Sequence, residues 1–298
     1  MITTVSVDLL FHRQAFKIRC YEARGDEFQY FFEKVMIAGY KDFISIRAYG
    51  NIGDMKCDGR IKSAFFQVYS PDTEKASEVI KKIEEDFHGA LKHWKAELKE
   101  WIFVFNAHRG IPSTVVKKMD ALKKKYPHIA FTIWNKENLW EIVEQLPLRK
   151  RIDLLGVVPT IENVNSFNVA ELDVILKFLT KKKADNSRAM NLTPVKRKIK
   201  ENDFSDGTVD LIKIGLSRSE FVNDYLNMHP DPSFSAIIKE SLLEVYENLV
   251  TKYDDNNIVF GKLHATCCMG DRDNPDVQAA ALAVIVYYFE LCEVFSVE

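Results

Sequence analysis

Gly50-Asn51-Ile52-Gly53-Asp54-Met55-Lys56-Cys57-Asp58-Gly59-Arg60, running on to Phe65-Phe66-Gln67-Val68-Tyr69-Ser70-Pro71, is the stretch whose reading decides the fold. Acids and a lysine stand between glycines, and an apolar segment follows with one amide, Gln67, set into it. Such a layout reads as two strands joined by a tight connection, with oxygen donors and a cation gathered at its end. Along a strand, residues 54, 56 and 58 fall on one side, so Asp54, Lys56 and Asp58 are expected to share a face. Oxygen donors of this kind suit a hard divalent cation such as Mg²⁺ or Mn²⁺. The alternative is turn chemistry alone, with Asp accepting local N–H bonds and Gly supplying positive φ. Gln67 weighs against it, because a buried amide without partners costs about 1–3 kcal/mol.

Working outward, 26 to 39 carries Phe28, Phe31, Phe32, Val35 and Met36 at helical spacing, with Glu33 on the same helix. Residues 1 to 24 alternate in part through Val5, Val7, Leu9 and Phe11, which reads as one or two peripheral strands. Strands are expected at 43 to 46, 56 to 61 and 64 to 69, as a meander. A helix follows over 73 to 98, with Val79, Ile83, Phe87, Leu91 and Trp94 as its apolar stripe. Trp101-Ile102-Phe103-Val104-Phe105 is a continuous apolar run, the mark of a strand covered on both faces, and Ile129 to Trp134 is a second. Helices at 113 to 124 and 136 to 145 complete the alternation.

After Pro147 the texture changes, and 150 to 165 reads as a linker. Beyond it only helical patterns appear, at 169 to 181, 208 to 228, 234 to 253 and 276 to 295. The last is apolar nearly all round and therefore buried in a bundle or an interface. The expected class is α/β: a mixed sheet flanked by helices over residues 1–150, then an all-α domain over 165–298.

Composition narrows the function. The chain has 298 residues, Lys+Arg 41 against Asp+Glu 43 and a net charge of −2, so it lacks the overall basic excess of a DNA-coating protein. Nucleic-acid contact must be local, and Lys123 to Lys125, Arg149 to Arg151, Lys181 to Lys183 and Lys196 to Lys198 are the basic runs that offer it. Five cysteines without paired metal spacing and no secretory pattern point to a reducing cytoplasm; no apolar run reaches the ~18 residues of a membrane span. Cys267-Cys268 reads as a pair of core thiols. No phosphate-binding Gly-x-x-x-x-Gly-Lys motif is present, so any ATP-driven motor is a partner. His108 and Arg109 end the fourth strand, where open α/β sheets place functional groups, and are candidates for DNA contact.

The order helix, three-strand meander, helix, strand, with an acid on the meander and Gln67 on its last strand, resembles the PD-(D/E)XK restriction-endonuclease-like superfamily over about residues 26 to 145. The resemblance implies a Mg²⁺-dependent deoxyribonuclease in which Asp54 or Asp58 is the metal acid of the second strand and Gln67 the ligand of the next. Glu33 matches an additional metal acid on the first helix. Tyr69 stands where the superfamily has lysine, and Lys56 is the candidate replacement. More narrowly, Phe32 to Met36, Gly53 to Gly59, Phe66 to Pro71, Asn106 to Gly110 and the tail from Gln278 to Glu290 resemble nuclease effector subunits of bacterial ABC three-component, Lamassu-type, defence systems. That resemblance implies double-stranded DNA as substrate, an SMC-like ABC ATPase and a small accessory subunit as partners, a helical docking and assembly module, a homo-oligomer when active, and a bacterial cytoplasmic location. The alternative is a nuclease fold without activity, kept as a DNA- or protein-binding adaptor. An acid at a hairpin end reads as exposed, so Asp58→Ala is expected to abolish cleavage at little cost to folding.

Overall fold

The computed structural model describes residues 5–47, 55–181, 194–291 and 294–295. Asp54, most of the 181–191 polar stretch and Lys182 and Lys183 lie outside the described residues. The chain forms an α/β protein with a five-stranded mixed sheet followed by a largely helical region. It divides into two compact units, 19–154 and a second made of residues up to 18 together with those from 155 onward.

Within 19–154 the elements are α2 (Gly25–Gly39), β1 (Phe43–Ser45), β2 (Gly59–Ile61), β3 (Ala64–Tyr69), α3 (Ala76–Trp94), β4 (Glu100–Phe105), α4 (Ser113–Lys125), β5 (Ala130–Trp134), α5 (Lys136–Glu144) and α6 (Leu148–Leu155), the last running one residue past the unit. The strands lie in the order β1-β2-β3-β4-β5. β2 is antiparallel to both neighbours, whereas β3, β4 and β5 are parallel, so β2 alone runs against the rest. Parallel strands need covered faces, and each face here is covered. Phe65, Trp101, Phe103, Phe105 and Phe131 meet Val79, Ile83 and Phe87 of α3 and Val115, Met119 and Leu122 of α4. On the other face Phe66 packs 5.7 Å from Phe32 of α2 and 5.1 Å from Trp134. The apolar run of β4 is buried from Trp101 to Phe105 because it is an inner strand between two such layers.

The meander departs from its expected form at one point. β2 begins at Gly59, and the residues before it are a turn in which Met55 and Lys56 adopt φ of 53° and 59°. Residue 59 is a glycine where the Phe43 ring of β1 occupies the side-chain position: a Cβ there would lie 2.4 Å from Phe43 Cζ. Asparagine caps α5, with Asn135 and Asn138 forming a reciprocal capping box.

The N-terminal strands expected from alternation are a helix, α1 (Val7–Glu22). Its buried positions Val7, Leu10, Phe11 and Gln14 follow i, i+3, i+4, i+7, and the alternation had counted Leu9, which is only partly covered. The expected linker is also partly helical: after Gly156, at φ 91°, Thr160 and Asn163 form a capping box that starts α7 (Ile161–Ser166).

The second unit continues with α8 (Val169–Thr180), α9 (Val195–Glu201), α10 (Asp206–Leu216), α11 (Ser219–Met228), α12 (Phe234–Val250), α13 (Asn256–Cys267) and α14 (Pro275–Leu291). α14 is buried at every position from Val277 to Phe289 and is packed by α7, α8, α10, α11 and α13. The single helix expected at 208 to 228 is broken into α10 and α11 at Arg218, whose guanidinium lies 4.7 Å from the ring centres of both Phe167 and Phe221 and donates to Phe167 O. Among the described residues no helix is long and apolar enough to cross a membrane.

Candidate functional site

Asp58 is 6 % exposed, not an open hairpin acid. Its Oδ2 accepts from the Val68 backbone N–H at 2.6 Å, and its Oδ1 accepts from Gln29 Nε2 of α2 at 2.7 Å. Its own N–H donates to Phe66 O and its C=O accepts from Ile46 N, so this one residue ties the edge of β1 to β3. Gln29 lies one helical turn before Glu33, which places Glu33 on the same side of α2 as the amide that holds Asp58. Glu33 is paired with Arg47. The α2 side of the hairpin end therefore carries two carboxylates, Asp58 and Glu33.

The other face has a second group of polar residues. Gln67 stands two residues from Phe65 and two from Tyr69, both packed in the cluster under α3 and α4, so it points to that side. Gln67 is 4 % exposed, and its Oε1 has no hydrogen-bond partner among the described residues. The Tyr69 hydroxyl is pushed above its ordinary pKa by burial, with the charges of Glu78 and Asp86 adding to the shift. Lys56 turns toward α3 and meets Asp86 Oδ1 at 3.2 Å; Lys82 lies 2.9 Å from Asp86 Oδ2.

The expected single face for Lys56 and Asp58 is thus not what forms. Positive φ at Met55 and Lys56 breaks the two-residue period, and the ammonium faces α3 while the carboxylate faces α2. Glu33 and Asp58 lie on the α2 side, and Lys56, Gln67 and Tyr69 on the α3 side. Among the described residues no three His, Cys, Asp or Glu side chains gather to hold a metal ion. Sequence reasoning missed Asp86, although a signal was present: an acid at position 86 interrupts the buried stripe Val79, Ile83, Phe87, Ala90.

At the end of β4, the His108 N–H donates to Glu74 Oε1 at 2.6 Å and the ring stacks on Tyr21 with centres 4.4 Å apart. Arg24 Nη2 lies 2.9 Å from His108 Nδ1, and since guanidinium only donates, that nitrogen accepts. Burial lowers the Arg24 pKa, opposed by the charge of Glu74. Asn106, 1 % exposed, donates to Cys20 O at 2.8 Å and Ser70 Oγ at 3.1 Å, fastening the end of α1 to the ends of β3 and β4. Arg109 is exposed.

Two of the basic runs serve the fold. Lys150 donates to Ala38 O and Arg151 to Leu146 O. Lys198 is fully buried and donates to Phe289 O at 2.6 Å and Val294 O at 3.1 Å, closing the carboxyl end of α14. Cys267 and Cys268 are buried, and burial pushes the Cys268 thiol up to about 12, too high for a reactive thiolate. No protein-family model, curated protein or solved structure matches the chain.

Proposed function

We propose that this chain is the DNA-acting subunit of a bacterial anti-phage defence complex: a restriction-endonuclease-like unit that cuts double-stranded DNA with Mg²⁺ or Mn²⁺, joined to a helical module for docking and assembly. The observation that carries the reading is the hairpin end itself. An acid heads β2, is fastened to β3 beside Gln67, and stands on the same side as a second acid on the helix before the meander. The strand order, with β2 alone reversed and helices before and after the meander, supports the same reading.

The donor set suits the ion. Mg²⁺ is held in many phosphoryl-transfer sites by one or two carboxylates, with waters and substrate phosphates completing the shell. Asp58 and Glu33 are the described residues that would hold it; Asp54 belongs to the same proposal from outside the described residues. Bound there, the ion would neutralise developing charge on the phosphodiester and lower the pKa of an attacking water. Gln29 orients Asp58, and Arg47, 66 % exposed, shields Glu33 until an ion displaces it. Lys56 supplies positive charge from the α3 side. An SMC-like ABC ATPase and a small accessory subunit restrain the cutting unit, and the helices packed around the buried α14 provide the docking body for them or for further copies in the bacterial cytoplasm.

Supercoiled plasmid incubated with the purified chain tests this. Nicking or linearisation is expected with Mg²⁺ or Mn²⁺ and none in EDTA, and Glu33→Gln should abolish it without changing the melting temperature in EDTA. Because a restrained enzyme can be silent, metal binding is read separately: Mg²⁺ should raise the melting temperature of the wild type and not of Glu33→Gln. Absence of both effects would sink the cutting mechanism.

A second reading, a nuclease-fold adaptor that binds DNA or protein without cutting, is favoured by a specific observation. The Asp58 oxygens already serve Val68 N and Gln29, Lys56 is bound to Asp86, and Tyr69 holds the lysine position. DNA binding with no metal-dependent melting shift is the outcome that selects it.

A further inference from the structure

Asp86 lies on the buried side of α3 among Val79, Ile83, Phe87 and Ala90, and is 0 % exposed. A carboxylate in such a place is costly unless paired, and replacing a buried ion pair by apolar side chains is often neutral or stabilising. Lys82, one turn earlier on the same helix and 2.9 Å away, would be pair enough. Lys56 nevertheless reaches the same carboxylate, at 3.2 Å, from the connection between β1 and β2. Other features steer it there. Met55 and Lys56 take left-handed backbone angles that turn the chain toward α3. Gly89, one turn after Asp86, leaves a groove for the lysine stem: a Cβ at 89 would lie 2.5 Å from Lys56 Cγ and 3.2 Å from its Cβ, and no other atom is nearer. The Lys56 side chain remains 45 % exposed. It is therefore held in place along its stem and at Asp86 with part of the side chain open to water, on the sheet face that carries Gln67, whose Oε1 has no hydrogen-bond partner among the described residues.

We propose that Asp86 and Gly89 are positioning residues that hold the Lys56 ammonium as a contact for a backbone phosphate of double-stranded DNA at the β1–β2 connection. The inference rests on the DNA-acting reading above and adds to it the residues that aim the cation. An ammonium is a compact point charge on a flexible stem, so its value at a phosphate depends on how firmly that stem is directed. The groove at Gly89 and the carboxylate of Asp86 supply that direction.

Fluorescence anisotropy of a labelled DNA duplex with the full chain, in EDTA and over a series of salt concentrations, separates this from a plain ion pair. Lys56→Met should weaken binding by about 3–10-fold and lower the salt slope by about one. Gly89→Ala keeps every charge and suits a helix, yet it displaces the lysine stem, so the same weakening is expected. Asp86→Asn removes a negative charge; charge alone would tighten binding, whereas loss of positioning weakens it. Wild-type or tighter affinity in Gly89→Ala and Asp86→Asn overturns the inference and leaves the DNA-acting reading standing. A wild-type chain that binds no duplex at low salt overturns both. Should Asp86→Asn fail to fold, Gly89→Ala and Lys56→Met still decide.

Discussion

Truncating Asp58 to alanine should unsettle the sheet unit before any question of catalysis arises. The carboxylate accepts from the buried Val68 N–H at 2.6 Å and from Gln29 Nε2 at 2.7 Å. Bonds to a charged acceptor contribute about 1.5–3 kcal/mol, and a buried donor left unmade costs about 1–3 kcal/mol. With the Val68 amide stranded and Gln29 released, the loss should be about 2–4 kcal/mol. For a unit spanning 19–154, each kcal/mol moves the thermal midpoint by about 3–5 °C, so a fall of roughly 10 °C is expected. Asp58→Asn keeps an oxygen for the Val68 N–H, and its fall should be less than half as large. Differential scanning calorimetry on the two variants measures both. A midpoint for Asp58→Ala within about 2 °C of the wild type would refute the reasoning. The result also governs interpretation: lost cleavage in Asp58→Ala is not evidence of a catalytic role unless the variant remains folded at the assay temperature.

Other outcomes follow from the helical unit. His264 Nε2 donates to Gln278 O at 2.8 Å, and burial holds the pKa of the ring below the ordinary 6.5. The folded pKa is the lower one, so between the two values the unfolded chain binds more protons; stability rises with pH across that window and falls as pH drops below 6.5. Urea midpoints at about pH 7.5 and 5 should diverge more in the wild type than in His264→Gln, and equal divergence would remove His264 as the cause. Lys198→Met should lower the urea midpoint by the equivalent of about 1–3 kcal/mol, because the Phe289 and Val294 carbonyls lose their buried donor, while duplex affinity stays unchanged. A drop in DNA affinity without a drop in stability would return Lys198 to the phosphate-binding candidates.

Much of the α/β unit was legible because its signals are local. The continuous apolar run of β4, the helical stripe of α3 and the spacing of Phe28, Phe31, Phe32 and Val35 on α2 each report the layer they face, whereas β5, expected to be covered on both faces, is an edge strand in which only Phe131 is buried. α1 was misread because Val5, Val7, Leu9 and Phe11 fit a period of two, and the helical set Val7, Leu10, Phe11 and Gln14 shares two of those positions and is separated from it only by burial. The break between α10 and α11 was hidden because Arg218, where the helix stops, is held by the ring and carbonyl of Phe167, which a local reading cannot bring near.

The candidate site divides along the same line. Spacing by itself was enough to single out Asp58 and Lys56 between glycines and Gln67 as an amide in an apolar strand, whereas Glu33 was singled out only by the resemblance. Which side of the sheet each one serves was decided only by tertiary structure. Left-handed angles at Met55 and Lys56 turned the lysine to α3, and an amide on α2 drew Asp58 the other way. Asp86, which determines where the cation points, meets its partner only when a helix and a distant connection pack together. A side chain's type is written in one residue, whereas its direction is set by whichever charge or donor the fold brings within about 3 Å.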